Sequence, residues 1–127
     1  MLFYEKNGQI IMAKESPSAL NEAQVAAAEN HIYSLKEIRE AAVPIARRYK
    51  VKSLRLFGSY ARGEATAASV MDLVIDRGEI KSLLDLAGLQ ISLSDAFHKK
   101  VDLLTEDSLE PGFRQEIQKD EVIIYES

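Results

Sequence analysis

The chain has 127 residues, 46% of them hydrophobic and 28% charged, proportions that fit one soluble globular domain large enough to bury a core. It contains no cysteine, which excludes disulfides, thiol chemistry and zinc sites built on Cys ligands. The net charge of -4 argues against broad nucleic-acid binding, and the absence of an 18-residue apolar run argues against a membrane span, so a cytoplasmic protein is expected.

Residues 1–33 read as a weakly specified N-terminal extension. In FYEKNGQIIM, Asn7-Gly8 separates two β-prone runs, a strong short-range hairpin signal. Ser16-Pro17-Ser18 then breaks the pattern, and Ser18 is the expected N-cap of an Ala-rich helix whose small side chains bury little area.

From Ser34 onward the signals sharpen. Ser34-Leu-Lys-Glu37 has the form of a capping box, opening a helix with Leu35, Ile38, Ala42, Ile45 and Tyr49 at helical spacing. Pro44 lies inside that helix and should kink it or remove one hydrogen bond. Residues 51–57 predict a strand ending at Gly58, and residues 71–76 a second strand. Residues 80–97 predict a helix with Leu83, Leu84, Ala87, Ile91 and Phe97 inward, a pattern that Gly88 weakens. A third strand spans 100–105, Pro111 opens a short helix, and 121–126 forms a last strand. The alternation predicts an α+β (α/β) domain with about four strands flanked by helices; pairing direction is not legible at this level.

Two features of the charged residues have bland explanations. His31 and His98 lie far apart without ligand spacing and are expected at the surface. Arg47, Arg48, Lys50, Lys52 and Arg55 cluster around a helix end and read as a solvated face favoured by the helix dipole.

The stretch LRLFGSYARGEATAASVMDLVID, residues 54–76, carries the chemistry. A Gly after a strand lets the backbone approach a ligand, and Ser59 at a helix start offers a hydroxyl beside free N–H groups, which suits phosphate. Asp72 lies between apolar neighbours in one strand and Asp102 in another. In the first strand, Met71, Leu73 and Ile75 form a uniformly apolar face, so alternation turns Asp72 away from the core, toward ligand or solvent.

Gly58, Ser59, Ala61, Arg62 and Gly63, followed by Ser69, Asp72 and Leu73 and later by Asp102, resemble the signature of the DNA polymerase β-type nucleotidyltransferase superfamily. The likeness is to its smallest members, the MNT (minimal nucleotidyltransferase) proteins, and covers residues 34–126. It implies a nucleotidyltransferase-like domain over 34–127 with a small mixed sheet. It also implies that Gly58, Ser59 and Arg62 hold the phosphates of an NTP, ATP being expected, and that Asp72 and Asp102 are catalytic acids that ligate Mg²⁺. MNT proteins pair with HEPN-domain toxins, so a HEPN partner, neutralised by binding or by transfer of AMP to a hydroxyl, is implied as well. Self-association stays open.

One position departs from that pattern. Ser69 before and Asp72-Leu73 after place the family's first acid on Val70. Valine suits a strand and is close to aspartate in size, but it offers no oxygen to a metal. Asp76 lies six residues further, roughly 20 Å along a strand, and nothing in the sequence brings Glu64 from its loop to substitute. Two outcomes are open: a slowed nucleotidyltransferase with weakened Mg²⁺ binding, or an inactive nucleotide-binding or partner-binding module.

Overall fold

The computed structural model describes residues 4–5, 10–11, 21–24 and 30–127. Strands β1 (Tyr4–Glu5) and β2 (Ile10–Ile11) pair antiparallel, with Tyr4 opposite Ile11. This is the expected hairpin ladder; Asn7-Gly8 lies outside the described residues. Residues 22–24 are helical, and Asn21 and Gln24 cap them reciprocally. The Gln24 N–H donates to Asn21 Oδ1 at 2.8 Å, and the Asn21 N–H donates to Gln24 Oε1 at 3.0 Å. Ser18, the expected cap, also lies outside the described residues.

Helix α1 (Leu35–Tyr49) opens on the capping box its sequence announces. The Glu37 N–H donates to Ser34 Oγ at 3.1 Å, and the Ser34 N–H returns to Glu37 Oε1 at 2.9 Å. That backbone donor, with His31 alongside, holds the Glu37 carboxyl below its ordinary pKa. The helix continues through Pro44 and stops at Lys50, which takes a left-handed conformation with φ of 59°.

There follow β3 (Ser53–Phe57), α2 (Gly58–Arg62), β4 (Met71–Asp76), α3 (Leu83–Phe97), β5 (Val101–Thr105), a 3₁₀ turn (Glu106–Ser108), α4 (Pro111–Asp120) and β6 (Val122–Glu126). The sheet order is β5-β4-β3-β6. Pairing is antiparallel except between β4 and β5, which run parallel because α3 carries the chain back across the sheet. A mixed four-stranded sheet with helices results, the arrangement that the resemblance implies.

The inward set of β4 matches its alternation. Met71, Leu73 and Ile75 are fully buried with Leu54 and Leu56 against Ile38, Ala42 and Ala46 of α1 and Leu89, Leu93 and Phe97 of α3. Tyr33 extends this packing, its ring edge-on to Phe97 and its hydroxyl donating to the Phe97 carbonyl at 2.9 Å. The opposite face is also covered in part. Phe57, Val74 and Ile117 form a second buried cluster, which seats α4 on the sheet.

Two sequence expectations require correction. Of the five residues expected inward on α3, Phe97 alone is buried; Leu83 is 80% exposed, Leu84 84% and Ile91 60%, and Ala87 is exposed too. Leu89, Leu93 and Phe97 face the core instead. The helix has apolar residues on both sides, so periodicity admits two rotations, and the approach to α1 selects one. Gly88 leaves room for Tyr49, whose hydroxyl would stand 2.8 Å from a Cβ there. The second correction concerns the basic cluster: Arg47, Arg48, Lys50 and Lys52 are exposed as expected, but Arg55 does not belong to that solvated face. Arg55 turns onto the α4 side of the sheet, half-buried, and ion-pairs with Glu106 and with Glu121 at 3.0 Å. Arg47 and Arg48 lie over the Tyr125 and Tyr49 rings.

The rotation of α3 has a measurable consequence. Leu93→Ala should lower unfolding stability by about 2–5 kcal/mol, as for a buried leucine, whereas Leu84→Ala should stay within about 0.5 kcal/mol of the parent. Equal losses for the two variants in urea titrations would mean that α3 is turned the other way.

Candidate functional site

The expected site residues converge at one end of the sheet. Parallel pairing of β4 with β5 makes Asp72 and Asp102 direct neighbours, and antiparallel pairing of β3 with β4 places Phe57 opposite Asp72. Gly58, the next residue, therefore lies against the Asp72 carboxyl. A Cβ on Gly58 would overlap Asp72 Oδ2 and come within 3.2 Å of Asp72 Cγ, and the residue has φ of 74°. Only glycine meets both conditions without strain.

Gly58 and Ser59 form the first turn of α2, with Phe57 as an extended N-cap that supplies no side-chain bond. Their N–H groups are the unsatisfied donors of a helix start. Tyr60 anchors the turn: it is buried, and its hydroxyl accepts from Lys99 Nζ at 3.1 Å. Lys99 also donates to the Ala67 carbonyl at 3.4 Å, tying the loop between α2 and β4 to the end of α3. Within that loop Ser69 has a local role. Its hydroxyl accepts from the Thr66 N–H at 2.8 Å, closing a turn just before Val70.

Asp72 is half-buried, and its pKa is raised above the ordinary carboxylate value. Desolvation is the main cause, the neighbouring Asp102 charge adds to it, and Arg62 opposes both. Asp102 is also half-buried, with Lys100 Nζ 3.9 Å from its Oδ1. Arg62 is engaged with two carboxylates, Glu64 Oε1 at 2.9 Å and Asp120 Oδ2 at 3.7 Å.

Val70 immediately precedes β4 and is half-buried. Glu64 pairs with Arg62 and Asp76 lies at the far end of β4, opposite Ser53, so neither stands beside Asp72 and Asp102. Among the described residues no group of three His, Cys, Asp or Glu side chains is placed to hold a metal ion. The two carboxylates present suit a divalent cation that completes its shell elsewhere, and fall one short of the set the family pattern carries.

Sequence reasoning missed Lys99, Lys100 and the contribution of α4. The lysine pair directly precedes β5, with Val101 between it and Asp102, and was legible as a basic step into that strand. Asp120 reaches Arg62 only through the packing of α4, which no local pattern announces.

Two measurements follow from this geometry. Gly63 shares Gly58's φ of 74°, but a Cβ there would meet nothing within 4 Å, so Gly63→Ala reports backbone strain alone, about 1–2 kcal/mol. Gly58→Ala should cost about 1–3 kcal/mol more, from the overlap with Asp72; equal losses would remove that contact from the account. Because the folded state raises the Asp72 pKa, it binds that proton more tightly than the unfolded chain does. Stability is thus lost as pH rises through the ordinary carboxylate range toward the raised value. Asp72→Asn should be more stable than the parent at pH 7, with the gain shrinking in acid. A loss at pH 7 in thermal unfolding would contradict this sign.

Comparison with known proteins agrees with the fold. Residues 40–127 match the model of the family described as Polymerase beta, Nucleotidyltransferase. A Methanocaldococcus jannaschii protein provisionally named a protein adenylyltransferase is 44% identical over 92 residues, 71% of this chain and 94% of that one. The protein adenylyltransferase MntA of Thermococcus cleftensis is 35% identical over 89 residues, 70% of this chain and 83% of that one. Among solved structures, one provisionally described as a minimal nucleotidyltransferase superposes with a TM-score of 0.63 at 32% identity, covering 71% of this chain and 95% of that chain. A Shewanella oneidensis complex of a tri-AMPylated HEPN toxin with an MNT antitoxin gives 0.57 at 17% identity, covering 73% of each, a likeness of fold alone. With the family pattern matched over most of its length and its sheet built in the same way, this chain belongs to the polymerase β-type nucleotidyltransferase family.

Proposed function

We propose that residues 34–127 act as a nucleotidyltransferase-like unit that binds a nucleoside triphosphate, ATP being the expected one, at the end of the sheet where Gly58, Asp72 and Asp102 meet. Gly58, Ser59 and Arg62 take the phosphates in this reading, with Arg62 exchanging Glu64 for the ligand. Asp72 and Asp102 are the residues that would hold Mg²⁺. A divalent cation there would neutralise phosphate charge and favour ionisation of an acceptor hydroxyl. The observation that carries the proposal is the register of β4 on β5, which sets two aspartates side by side against a glycine with no side chain to displace them.

Support for adenylyl transfer as the reaction comes from the relatives named protein adenylyltransferases. Support for a HEPN-domain protein as partner comes from the MNT antitoxin whose fold this chain shares. Val70 bears on how fast transfer proceeds. Loss of one carboxylate from a metal site removes several kcal/mol of transition-state stabilisation, and each ~1.4 kcal/mol is tenfold in rate. We place the cost at about a hundredfold to ten-thousandfold. A second reading, neutralisation of the partner by binding alone, is favoured by the lack of a third acid beside Asp72 and Asp102 among the described residues.

Transfer of labelled AMP from Mg-ATP to a HEPN-domain protein, measured for the parent and for Val70→Asp, tests both. The variant should transfer faster by about two to four powers of ten. Equal rates would show that the residue at this position is not the limiting defect. Tight partner binding with no transfer by either protein would leave neutralisation by binding.

A further inference from the structure

On the side of the sheet that carries Asp72, α4 does not close against α2. A groove of about 220 Å³ remains between them, reaching Gly58 and Arg62 at one end. Its floor and one wall are aromatic. Phe57 is buried, whereas Phe113 is 47% exposed, its ring nearly perpendicular to that of Phe57 with centroids 6.1 Å apart. Glu116 and Asp120, one and two turns further along α4 on the same helix face as Phe113, make that wall acidic as well, and Gly58 and Arg62 of α2 line the opposite side.

Each property narrows the occupant. The carboxylates disfavour an anion, so the phosphates stay at the Gly58 end, beside Arg62. A large aromatic left half in water, next to a ligand site, offers a stacking face. A carboxylate one helical turn along from it accepts hydrogen bonds from an N–H group and gives none. Asp120 already faces Arg62 at 3.7 Å, whereas Glu116 is held, among the described residues, only by the exposed Lys119, at 3.1 Å. An exposed pair of that kind is worth little and is readily exchanged. The groove thus suits a flat, uncharged ring bearing an amino group, attached to something anionic.

We infer that the groove between α2 and α4 seats the base of the bound nucleotide, with Phe113 stacked on the ring and Glu116 accepting from an exocyclic amino group. This rests on the phosphate reading of Gly58 and Ser59 given above, and deepens it. A base with an amino group, such as adenine, is preferred over uracil. Phe113 and Glu116 are specificity-determining residues, separate from the carboxylates that face the phosphates.

The test is calorimetric titration, with Mg²⁺ present, of a non-hydrolysable ATP analogue, the matching UTP analogue and inorganic tripolyphosphate. Each is titrated into the parent, Phe113→Ala and Glu116→Ala. Phe113→Ala should weaken the ATP analogue about tenfold, in line with the loss of one stacking contact, and leave tripolyphosphate unchanged. Glu116→Ala should remove the preference for the ATP over the UTP analogue. Phe113→Leu, which keeps apolar volume without a π-face, should behave like the alanine variant and guards against a folding artefact. If tripolyphosphate binds but the ATP analogue binds no tighter, or binds all proteins alike, the base lies elsewhere while the phosphate reading stands. Equal weakening of both ligands by Phe113→Ala also overturns the inference. If tripolyphosphate itself fails to bind the parent, the phosphate reading falls and the inference with it.

Discussion

Two carboxylates on neighbouring strands, one of them desolvated, repel each other, and a folded chain keeps them together only where something else holds the strands in place. Here the parallel pairing of β4 with β5 makes Asp72 and Asp102 partners in register. Fully buried Met71 and Val101, one residue before each acid, fix that register from the core side. A slip by one residue would send Met71 outward and Asp72 inward, so the hydrophobic face holds the acids in position. Gly58 completes the arrangement by giving up its side chain where the Asp72 carboxyl needs space. The raised pKa of Asp72 is the electrostatic mark of this constraint: stability is given up at a place where charge is gathered.

The absence of an oxygen at Val70 leaves that arrangement intact. Valine occupies the step into β4 with good strand propensity, and the turn before it is closed by Ser69 and Thr66 without reference to an acid. Fold and chemistry are therefore separable at this position. A residue can satisfy the packing demands of the strand entrance while bringing no oxygen to it.

The far side of the sheet depends on α4. Val74 and Phe57 present apolar surface to Ile117, while Arg55 and Arg114 both bind Glu106. Buried ion pairs add little net stability, but losing one partner is costly, so such a cluster acts chiefly to specify position. The helix thus has two effects: it covers half of a sheet face, and it shapes the surroundings of the acids at the sheet's end.

Much of the architecture was written locally. The capping box at Ser34, the β-strand pattern of residues 71–76 and the proline that opens α4 each depend on neighbours within a few residues, and each element appears where its pattern placed it. Gly58-Ser59, Asp72 and Asp102 were also legible, because strand alternation and a turn glycine are short-range properties. Local pattern left three matters open, and tertiary contact decided them. On α3, apolar residues lie all around the helix, and Tyr49 meeting Gly88 chose the buried face. Arg55 belongs by sequence to a basic stretch, yet Glu106 and Glu121, more than fifty residues away, draw it under α4. The groove at Phe113 is a gap left between two helices distant in the chain that meet through Arg62 and Asp120, and spacing between elements is fixed by the packing of side chains that no local window contains.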